Sequence, residues 1–185
     1  MRTPRLDRDR QQWIFDYLVK ETGRVFHWDG NDRVLPASVK SHDQISKHVG
    51  KIAQRMERIA AEEEAAGHKV TALELYYRAS AQFAAAQHPV LETTDEKRYL
   101  HGRCIANYEK VMELSPYPME RVEIPFEGAE LQCNFHMLPG KPKAPVAIVI
   151  PGCDMTKEIL PDPQVNHAIN RGIPMLVMDG PGQGM

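Results

Sequence analysis

The chain has 185 residues, of which 42% are hydrophobic and 26% charged, a balance typical of folded globular proteins and not of disordered ones. Its formal net charge of −2 gives no electrostatic reason to bind nucleic acid or an anionic membrane. The charged N-terminus is unlike a signal peptide, and no apolar run approaches the ~20 residues that span a bilayer. Three widely spaced cysteines match no disulfide framework or metal motif, so we expect a cytoplasmic protein with no metal and no cofactor.

Four stretches within residues 1–115 repeat apolar residues at helical spacing, which predicts a helical region. The first stretch covers about residues 10–21. In a capping box, a Ser or Thr and a Gln or Glu three residues later satisfy the free backbone amides of a helix start. This pattern predicts where the second and third helices begin: Ser41 with Gln44, and Thr71 with Glu74.

The fourth helix is predicted from about Asp95 to Leu114. Its end is set by Ser115-Pro116-Tyr117-Pro118, because proline cannot continue a helix and restricts the residue before it. The side chains expected to face inward are those of Tyr99, Cys104, Ile105, Tyr108, Val111 and Met112.

Beyond residue 118 the apolar period changes from 3.6 to 2, which predicts strands. Two alternating segments flank Glu127-Gly128 and predict an antiparallel hairpin with one face in water. On the second strand, Asn134 and His136 are expected on that wet face.

A β-α-β unit is predicted after the hairpin. Residues 146–150 are apolar without alternation, as in a strand buried on both faces. Asp162 and Pro163 predict the start of one crossover helix, and Gly172 predicts its end. Residues 173–178 form the second buried strand, which should be parallel to the first.

Each parallel strand is followed by a loop at its carboxyl end, where open α/β sheets place their sites. The first loop is Pro151-Gly152-Cys153-Asp154 and the second is Asp179-Gly180-Pro181-Gly182-Gln183-Gly184. A plain βα turn would also explain the first loop. Nucleotide binding fits the second poorly, because Pro181 removes a backbone amide that would hold a phosphate. A thiol nucleophile at Cys153, activated by His167, stays open.

Several of these motifs together resemble one branch of the α/β hydrolases, the branch of 2,6-dihydroxypseudooxynicotine hydrolase and of fungal polyketide-shortening hydrolases. The resemblance rests on Pro151-Gly152-Cys153-Asp154, Thr156-Lys157-Glu158, Arg171-Gly172 and the loop of residues 179–184. It extends over the whole chain, and the combination of Thr-Lys-Glu with Asp-Gly-Pro-Gly-Gln-Gly is its most specific part.

The resemblance implies an α/β fold in which residues 1–115 form a helical cap and residues 119–185 form the first strands of a hydrolase sheet, incomplete at the C-terminus. Family members use a Ser-Asp-His triad to cleave a carbon–carbon bond next to a ketone, or an ester-like bond, and an aromatic or polyketide-type substrate is expected here. No Gly-x-Ser-x-Gly turn occurs before Met185, so we expect the triad beyond this chain and expect the chain alone to be inactive.

Only the loop after the first parallel strand maps onto the family's catalytic machinery. The resemblance implies that the backbone N–H of Cys153 is one donor of the oxyanion hole, in a loop shaped by Gly152. Side chains and backbone of the active-site rim are expected at Asp154, Asp179 and Gly180. The sequence departs from the family pattern at Pro161 and Pro163, which we expect to alter the start of the crossover helix.

Two other interpretations fit parts of the sequence. The helices of residues 71–87 and 95–114 resemble a helical-repeat scaffold, although no third copy is visible. A degenerate, non-catalytic hydrolase fragment would leave a bare strand edge beside residues 173–178. The expected partners are a small-molecule substrate, the remainder of the hydrolase domain and, as one option, a second copy in a homodimer.

Overall fold

The structure is a computed structural model that describes residues 25–26, 34–35, 39–140, 143–152 and 154–184. The helix predicted at residues 10–21 lies outside the described residues, and so does Cys153. Two short strands come first, β1 (Val25–Phe26) and β2 (Val34–Leu35), and they pair antiparallel.

Three long helices follow and pack one against the next in chain order: α1 (Asp43–Ala65), α2 (Lys69–Gln87) and α3 (Asp95–Leu114). Gly67 joins α1 to α2 with a φ of 83°, the left-handed conformation that favours glycine after a helix. The Thr94 side chain accepts a hydrogen bond from the Lys97 N–H at 3.2 Å and so begins α3.

Both predicted capping boxes are wrong. The helix α1 begins at Asp43, after His42, which makes no side-chain cap, and Gln44 Oε1 instead accepts from the Lys40 N–H at 2.7 Å. Thr71 lies inside α2, two residues after that helix begins. The first helix begins two residues after Ser41, whereas the second begins two residues before Thr71, so neither predicted residue stands at the N-cap.

The helices bury two apolar clusters. The first lies between the N-terminal half of α1 and the other two helices, and its buried members are Val39, Ile45, Val49, Ala53, Phe83, Ala84, Ala86, Leu100 and Cys104. The second lies at the other end and contains Ala60, Ala72, Leu73, Tyr76, Tyr108 and Val111. Tyr99 was predicted to face inward and is 51% exposed, because Leu100 and Cys104 occupy the inner face of α3.

A four-stranded sheet follows in the order β3-β4-β6-β5. The predicted hairpin is confirmed as β3 (Met119–Phe126) and β4 (Ala129–His136), paired antiparallel. The parallel pair is confirmed as β5 (Ala147–Val149) and β6 (Met175–Met178). Because β6 also pairs antiparallel with β4, the sheet is mixed.

Strand β5 lies at one edge of the described sheet. The prediction of a strand buried on both faces is wrong here, since Ile148 is 65% exposed and its neighbours Val146 and Ile150 are also exposed. The prediction of a bare edge beside residues 173–178 is wrong too, because β6 has a partner on each side. The unpaired edges among the described strands belong to β3 and β5, and β6 lies between β4 and β5, so the chain's strands do not add to the sheet in chain order.

The crossover from β5 to β6 is not the single helix predicted. It consists of two 3₁₀ helices, at Lys157–Ile159 and Pro163–Val165, and one short α-helix, α4 (His167–Asn170). Asp162 accepts from the Gln164 N–H as predicted, but Asn166 then caps α4 afresh. Val165, at the end of the second 3₁₀ helix, is 56% exposed.

Candidate functional site

The loops after the two parallel strands meet at the carboxyl edge of the sheet, and Gln183 joins them. Its Nε2 donates to the carbonyl oxygen of Gly152 at 2.7 Å and to that of Pro151 at 3.3 Å. Its Oε1 accepts the N–H of Gly180 at 2.9 Å. One side chain therefore bonds the backbone of both loops, which we call the rim loops (residues 151–155 and 179–184).

A buried ion cluster lies beneath the rim loops. Lys157 Nζ is 2.8 Å from Asp179 Oδ2 and 2.8 Å from Glu158 Oε1, and all three side chains are at most 5% exposed. The Lys157 backbone N–H also donates to Asp179 Oδ1 at 2.7 Å. Asn134, on β4, donates to the Lys157 carbonyl at 3.3 Å. The cluster therefore fixes the start of the crossover to both the sheet and the second rim loop.

Burial and the neighbouring charges shift the pKa values of this cluster in opposite directions. Burial raises the pKa of Asp179 above its usual range, although the ammonium of Lys157 opposes that shift. Burial disfavours the charged form of Lys157, but the carboxylates of Glu158 and Asp179 outweigh it and raise the Lys157 pKa. Lys157 is therefore a cation throughout the neutral range, shared between two carboxylates.

The helical region reaches the rim through His101 on α3. This side chain is 2% exposed, and within the described part of the chain neither ring nitrogen has a hydrogen-bond partner. Burial lowers the pKa of His101, against the attraction of the Glu158 carboxylate. A Cβ placed on Gly184 would be 3.7 Å from the His101 ring and would clash with Asp179. Only glycine fits between them.

A second buried network joins the helices to the sheet, and it corrects the prediction for His136. That side chain is fully buried and not on a wet face. The Tyr117 hydroxyl is 3.0 Å from His136 Nδ1, and Asn166 Nδ2 donates to the same hydroxyl at 3.0 Å. Burial lowers the pKa of His136 to about 4. The imidazole is therefore neutral at pH 7.

Asn134 also lies on the predicted wet face and is buried. This face of β4 is not exposed to water, because the segment that begins the crossover covers it. The hydrogen bond from Asn134 to the Lys157 carbonyl shows this contact. Alternation in β4 records which side chains are polar, whereas burial depends on a segment more than 20 residues later in the chain.

The predicted rim residues occupy different environments. Gly152 is exposed, Asp154 and Gly180 are half-buried, and Asp179 is buried in the ion cluster. His167, proposed as a partner for a Cys153 thiol, is exposed on α4. The roles assigned to Gly152, Cys153, Asp154, Asp179 and Gly180 stay predictions.

Sequence reasoning did not identify the ion cluster, His101 or the bridging role of Gln183. Lys157 and Glu158 appeared only as part of a resemblance, and Gln183 only as a letter in a glycine-rich loop. An adjacent Lys-Glu pair placed directly after a rim loop was the one available signal, because an ion pair that becomes buried needs further hydrogen-bond partners.

No group of three or more His, Cys, Asp or Glu side chains in the described part of the chain is arranged to hold a metal ion. A search of the same residues for a helix with the length and apolar character to cross a bilayer finds none.

Comparisons with known proteins agree with this geometry, although no family model matches the chain. The α/β hydrolase ucsC of Acremonium sp is 31% identical over 169 residues, covering 82% of this chain and 34% of that protein. The α/β hydrolase gkaG of Penicillium citrinum is 33% identical over 169 residues, covering 84% of this chain and 38% of that protein. The chain thus spans well under half the length of these relatives.

The crystal structure of 2,6-dihydroxy-pseudo-oxynicotine hydrolase superposes with a TM-score of 0.62 at 26% identity, covering 83% of this chain and 42% of that one. The match covers most of the chain, so it includes helices as well as the sheet. The chain belongs to the α/β-hydrolase superfamily, in the branch that includes 2,6-dihydroxypseudooxynicotine hydrolase and these fungal α/β hydrolases.

Proposed function

We propose that this chain is the N-terminal part of a serine hydrolase that cleaves a carbon–carbon bond next to a ketone, or an ester-like bond, in an aromatic or polyketide-type substrate. In this proposal residues 1–115 are the helical cap and residues 119–185 begin the catalytic domain. The Ser-Asp-His triad would be supplied by sequence outside residues 1–185, and residues 1–185 alone would be inactive.

One observation carries the proposal. The parallel strands β5 and β6 end at the same edge of the sheet, and their rim loops are bonded to each other through Gln183. In α/β hydrolases the active site occupies this edge, with one oxyanion donor in a loop of this kind. The names of the relatives support hydrolysis as the reaction class, and the name of one of them, 2,6-dihydroxy-pseudo-oxynicotine hydrolase, supports a substrate with an aromatic ring.

In the proposed reaction the serine oxygen attacks the substrate carbonyl carbon, its proton passes to the triad histidine, and the carbonyl oxygen becomes an oxyanion. Collapse of this intermediate breaks the bond to the leaving group, which takes the proton from the histidine, and water then hydrolyses the acyl-enzyme. The Cys153 N–H and the amide after the serine would hold that oxyanion, and the exposed Gly152 leaves the loop open to a substrate. Loss of one such donor typically slows kcat by about 10²–10³-fold. The cap would exclude water from the bond that breaks, and on the cap side the His101 ring of α3 lies 3.7 Å from a Cβ placed on Gly184.

The first test asks where the nucleophile is. The protein purified from its natural source is labelled with a fluorophosphonate, and its intact denatured mass is measured. A labelled serine on a polypeptide that contains or accompanies residues 1–185 supports the proposal. A species near 21.0 kDa alone, with no labelled serine, contradicts it.

The second test asks what Cys153 does, in the gene product that carries this chain and with aryl esters and aryl 1,3-diketones as substrates. Cys153→Pro removes the backbone donor and should lower kcat by about 10²-fold or more. Cys153→Ala removes only the thiol and should retain kcat. A Cys153→Ala variant without activity would instead favour the thiol nucleophile.

A cytoplasmic location belongs to the same proposal. It is supported by Cys104 and Cys133, which are buried free thiols, as expected in a reducing compartment. A homodimer is a further part of it, and sedimentation of the purified protein is the measurement that tests it.

A further inference from the structure

We propose that a group of four buried side chains binds one proton and keeps it at neutral pH. The group, which we call the buried quartet, consists of Lys157, Glu158, Asp179 and His101. The proton lies between the Glu158 carboxylate and the His101 ring. This inference goes beyond the proposed function and does not depend on it, because it concerns the charge of the quartet and not the reaction.

The first step is that water does not reach the quartet. Each of its four side chains is at most 5% exposed. A net charge in such surroundings is costly unless an opposite charge balances it, and a group that lacks this balance gains or loses a proton instead. The quartet is therefore expected to be neutral as a whole.

The second step is the charge of the quartet. Lys157 supplies one positive charge, whereas Glu158 and Asp179 supply two negative charges when both are ionised. Lys97, on α3, does not balance the difference, because its Nζ donates to the Val90 carbonyl at 2.8 Å and its side chain is half-buried. One additional proton removes the excess negative charge.

The other titratable groups that face Glu158 carry no charge. They are Cys104 and Tyr108 on α3, and burial raises the pKa of the thiol and of the hydroxyl, so both are neutral at pH 7. The charged groups that face the His101 ring from the crossover and the second rim loop are the three already counted, and Lys97 faces it from α3. The balancing proton must therefore be bound within the quartet.

The third step is the position of the proton. Both Asp179 oxygens accept hydrogen bonds from Lys157, as an ionised carboxylate requires. Among the described residues, neither Glu158 oxygen has an aligned hydrogen-bond donor, and neither His101 nitrogen has a partner. Of the charges around the His101 ring, that of Glu158 acts on it most strongly. A proton shared by this carboxylate and this ring gives each of them a hydrogen-bond partner.

Two pKa shifts agree with a site that resists net charge. Burial raises the pKa of Asp179, and the Glu158 carboxylate raises it further, although the Lys157 ammonium opposes both. Burial lowers the pKa of His101. Each shift disfavours the charged form of its group. Because groups this close titrate together, the bound proton is a property of the quartet as a unit.

The position of the site gives the proton a role. A Cβ placed on Gly184 would contact both the His101 ring and the Asp179 carboxylate, so α3 and the second rim loop meet at the quartet. Loss of the proton would leave an excess negative charge where these two parts pack. The proton therefore holds the helical region against the rim, and this hold weakens as the pH rises.

The substitution Glu158→Gln tests the charge count with almost no change in shape. Glutamine is neutral and can donate to the ring as a protonated glutamic acid can, so the variant quartet is neutral without an extra proton. Folded wild type should therefore bind about one more proton than the folded variant at pH 7. Urea unfolding of the full 185-residue chain between about pH 6 and 8 measures this difference.

The expected result is a change in the ratio of two unfolding equilibrium constants, wild type over Glu158→Gln. In the unfolded chain a glutamate is ionised in this pH range, so any difference comes from the folded state. One extra proton in the folded state makes the ratio rise about tenfold per pH unit near pH 7. A ratio that does not change with pH would mean that wild type holds no extra proton, which overturns the proposal.

Glu113→Gln is the matched control. Glu113 Oε2 is 2.9 Å from Lys110 Nζ, which also contacts Glu64, but the Glu113 side chain is 61% exposed. Water balances the charge there, so the ratio of wild type to this variant should stay constant over the same pH range. A tenfold rise per pH unit in the control would show that burial is not what retains the proton, and would also overturn the proposal.

A second measurement needs neither a variant nor unfolding. NMR of the folded wild-type chain, with ¹³C in the Asp and Glu carboxyl groups and ¹⁵N in the histidine rings, reports each protonation state at pH 7. A carboxyl signal of a protonated acid that is absent from Glu158→Gln, or a His101 ring protonated at both nitrogens, supports the proposal. A neutral His101 ring together with ionised carboxyl groups throughout overturns it, even if Glu158→Gln does not fold.

Discussion

Lys157 bonds Asp179 twice, through its backbone N–H to Oδ1 at 2.7 Å and through Nζ to Oδ2 at 2.8 Å. The two residues are 22 positions apart, one at the start of the crossover and one at the end of β6. The bidentate contact closes the β-α-β unit at the edge where the proposed site lies. Glu158, fully buried, shares the same ammonium.

Replacing Lys157 by Met should lower the free energy of unfolding by about 3–5 kcal/mol at pH 7, because it leaves two buried carboxylates without a cation. Urea unfolding followed by circular dichroism measures the loss. The loss should shrink at acidic pH, since Asp179, whose pKa burial raises, needs no cation once it is protonated.

The matched control is Lys110→Met. Lys110 also has two carboxylate neighbours, Glu64 at 3.3 Å and Glu113 at 2.9 Å, but its side chain is 39% exposed. We expect Lys110→Met to lower the free energy of unfolding by less than about 1 kcal/mol, because water and salt screen exposed ion pairs. Similar losses in the two variants would show that burial does not set the strength of the Lys157 cluster.

Gly184→Ala should destabilise the second rim loop and shift the position of Asp179. Gly184 has a φ of 62°, and a Cβ there would clash with Asp179 Oδ2. Gly182→Ala is the control, because its φ is 84° and nothing lies within 4 Å of the added Cβ. Both variants carry the strain of a positive φ, about 1 kcal/mol or more.

The difference between the two glycine variants isolates the contact with Asp179. We expect Gly184→Ala to lose about 1–3 kcal/mol more than Gly182→Ala in urea unfolding, as an overpacked buried site does. Equal losses would mean that the loop moves away from the ion cluster without penalty.

Elements with local causes were predicted from the sequence. The hairpin follows from alternation on both sides of Glu127-Gly128, and both of those residues adopt a positive φ. The bounds of α3 follow from its first-turn acidic residues and the prolines after it. The two rim loops follow from the apolar strands that precede them.

Elements with distant causes were not predicted. His136 is buried because the hydroxyls of Tyr117 and Tyr108, on two other segments, lie within hydrogen-bond distance of its two ring nitrogens. The exposure of Ile148 follows from the strand order, which sequence periodicity does not contain. The crossover is split because Asp162 and Asn166 each cap a separate short helix. The sequence pattern predicts a helix start only at Asp162.

Asn166 should stabilise the protein through two separable contacts. Its Oδ1 accepts from the N–H groups of Ala168 and Ile169, both at 3.1 Å, and its Nδ2 donates to the Tyr117 hydroxyl. Asn166→Ala removes both and should cost about 2–4 kcal/mol in urea unfolding, one part for the cap and one for a buried bond. Asn166→Ser keeps a capping oxygen without adding a charge and should lose less; an equal loss would assign the stability to the Tyr117 contact alone.

The pH dependence of stability should carry a contribution from His136. Its pKa falls from 6.5 to about 4 on folding, so between these values the unfolded state binds more protons. The contribution of His136 to the free energy of unfolding is therefore largest above pH 6.5. It decreases by about 3 kcal/mol as the pH falls from 6.5 to about 4. The Tyr117 hydroxyl favours the neutral ring, since it can donate its proton to Nδ1 while Asn166 donates to its oxygen.

His136→Gln should flatten the stability profile between pH 6.5 and 4, because glutamine does not titrate. Urea unfolding at half-unit pH intervals gives the difference between variant and wild type, which removes the contributions of other groups such as His101. His167→Gln, at an exposed histidine, serves as the control and should follow the wild-type profile. A His136→Gln profile parallel to that of wild type would mean that the imidazole gains its proton without disturbing the buried network, and that Tyr117 does not hold it neutral.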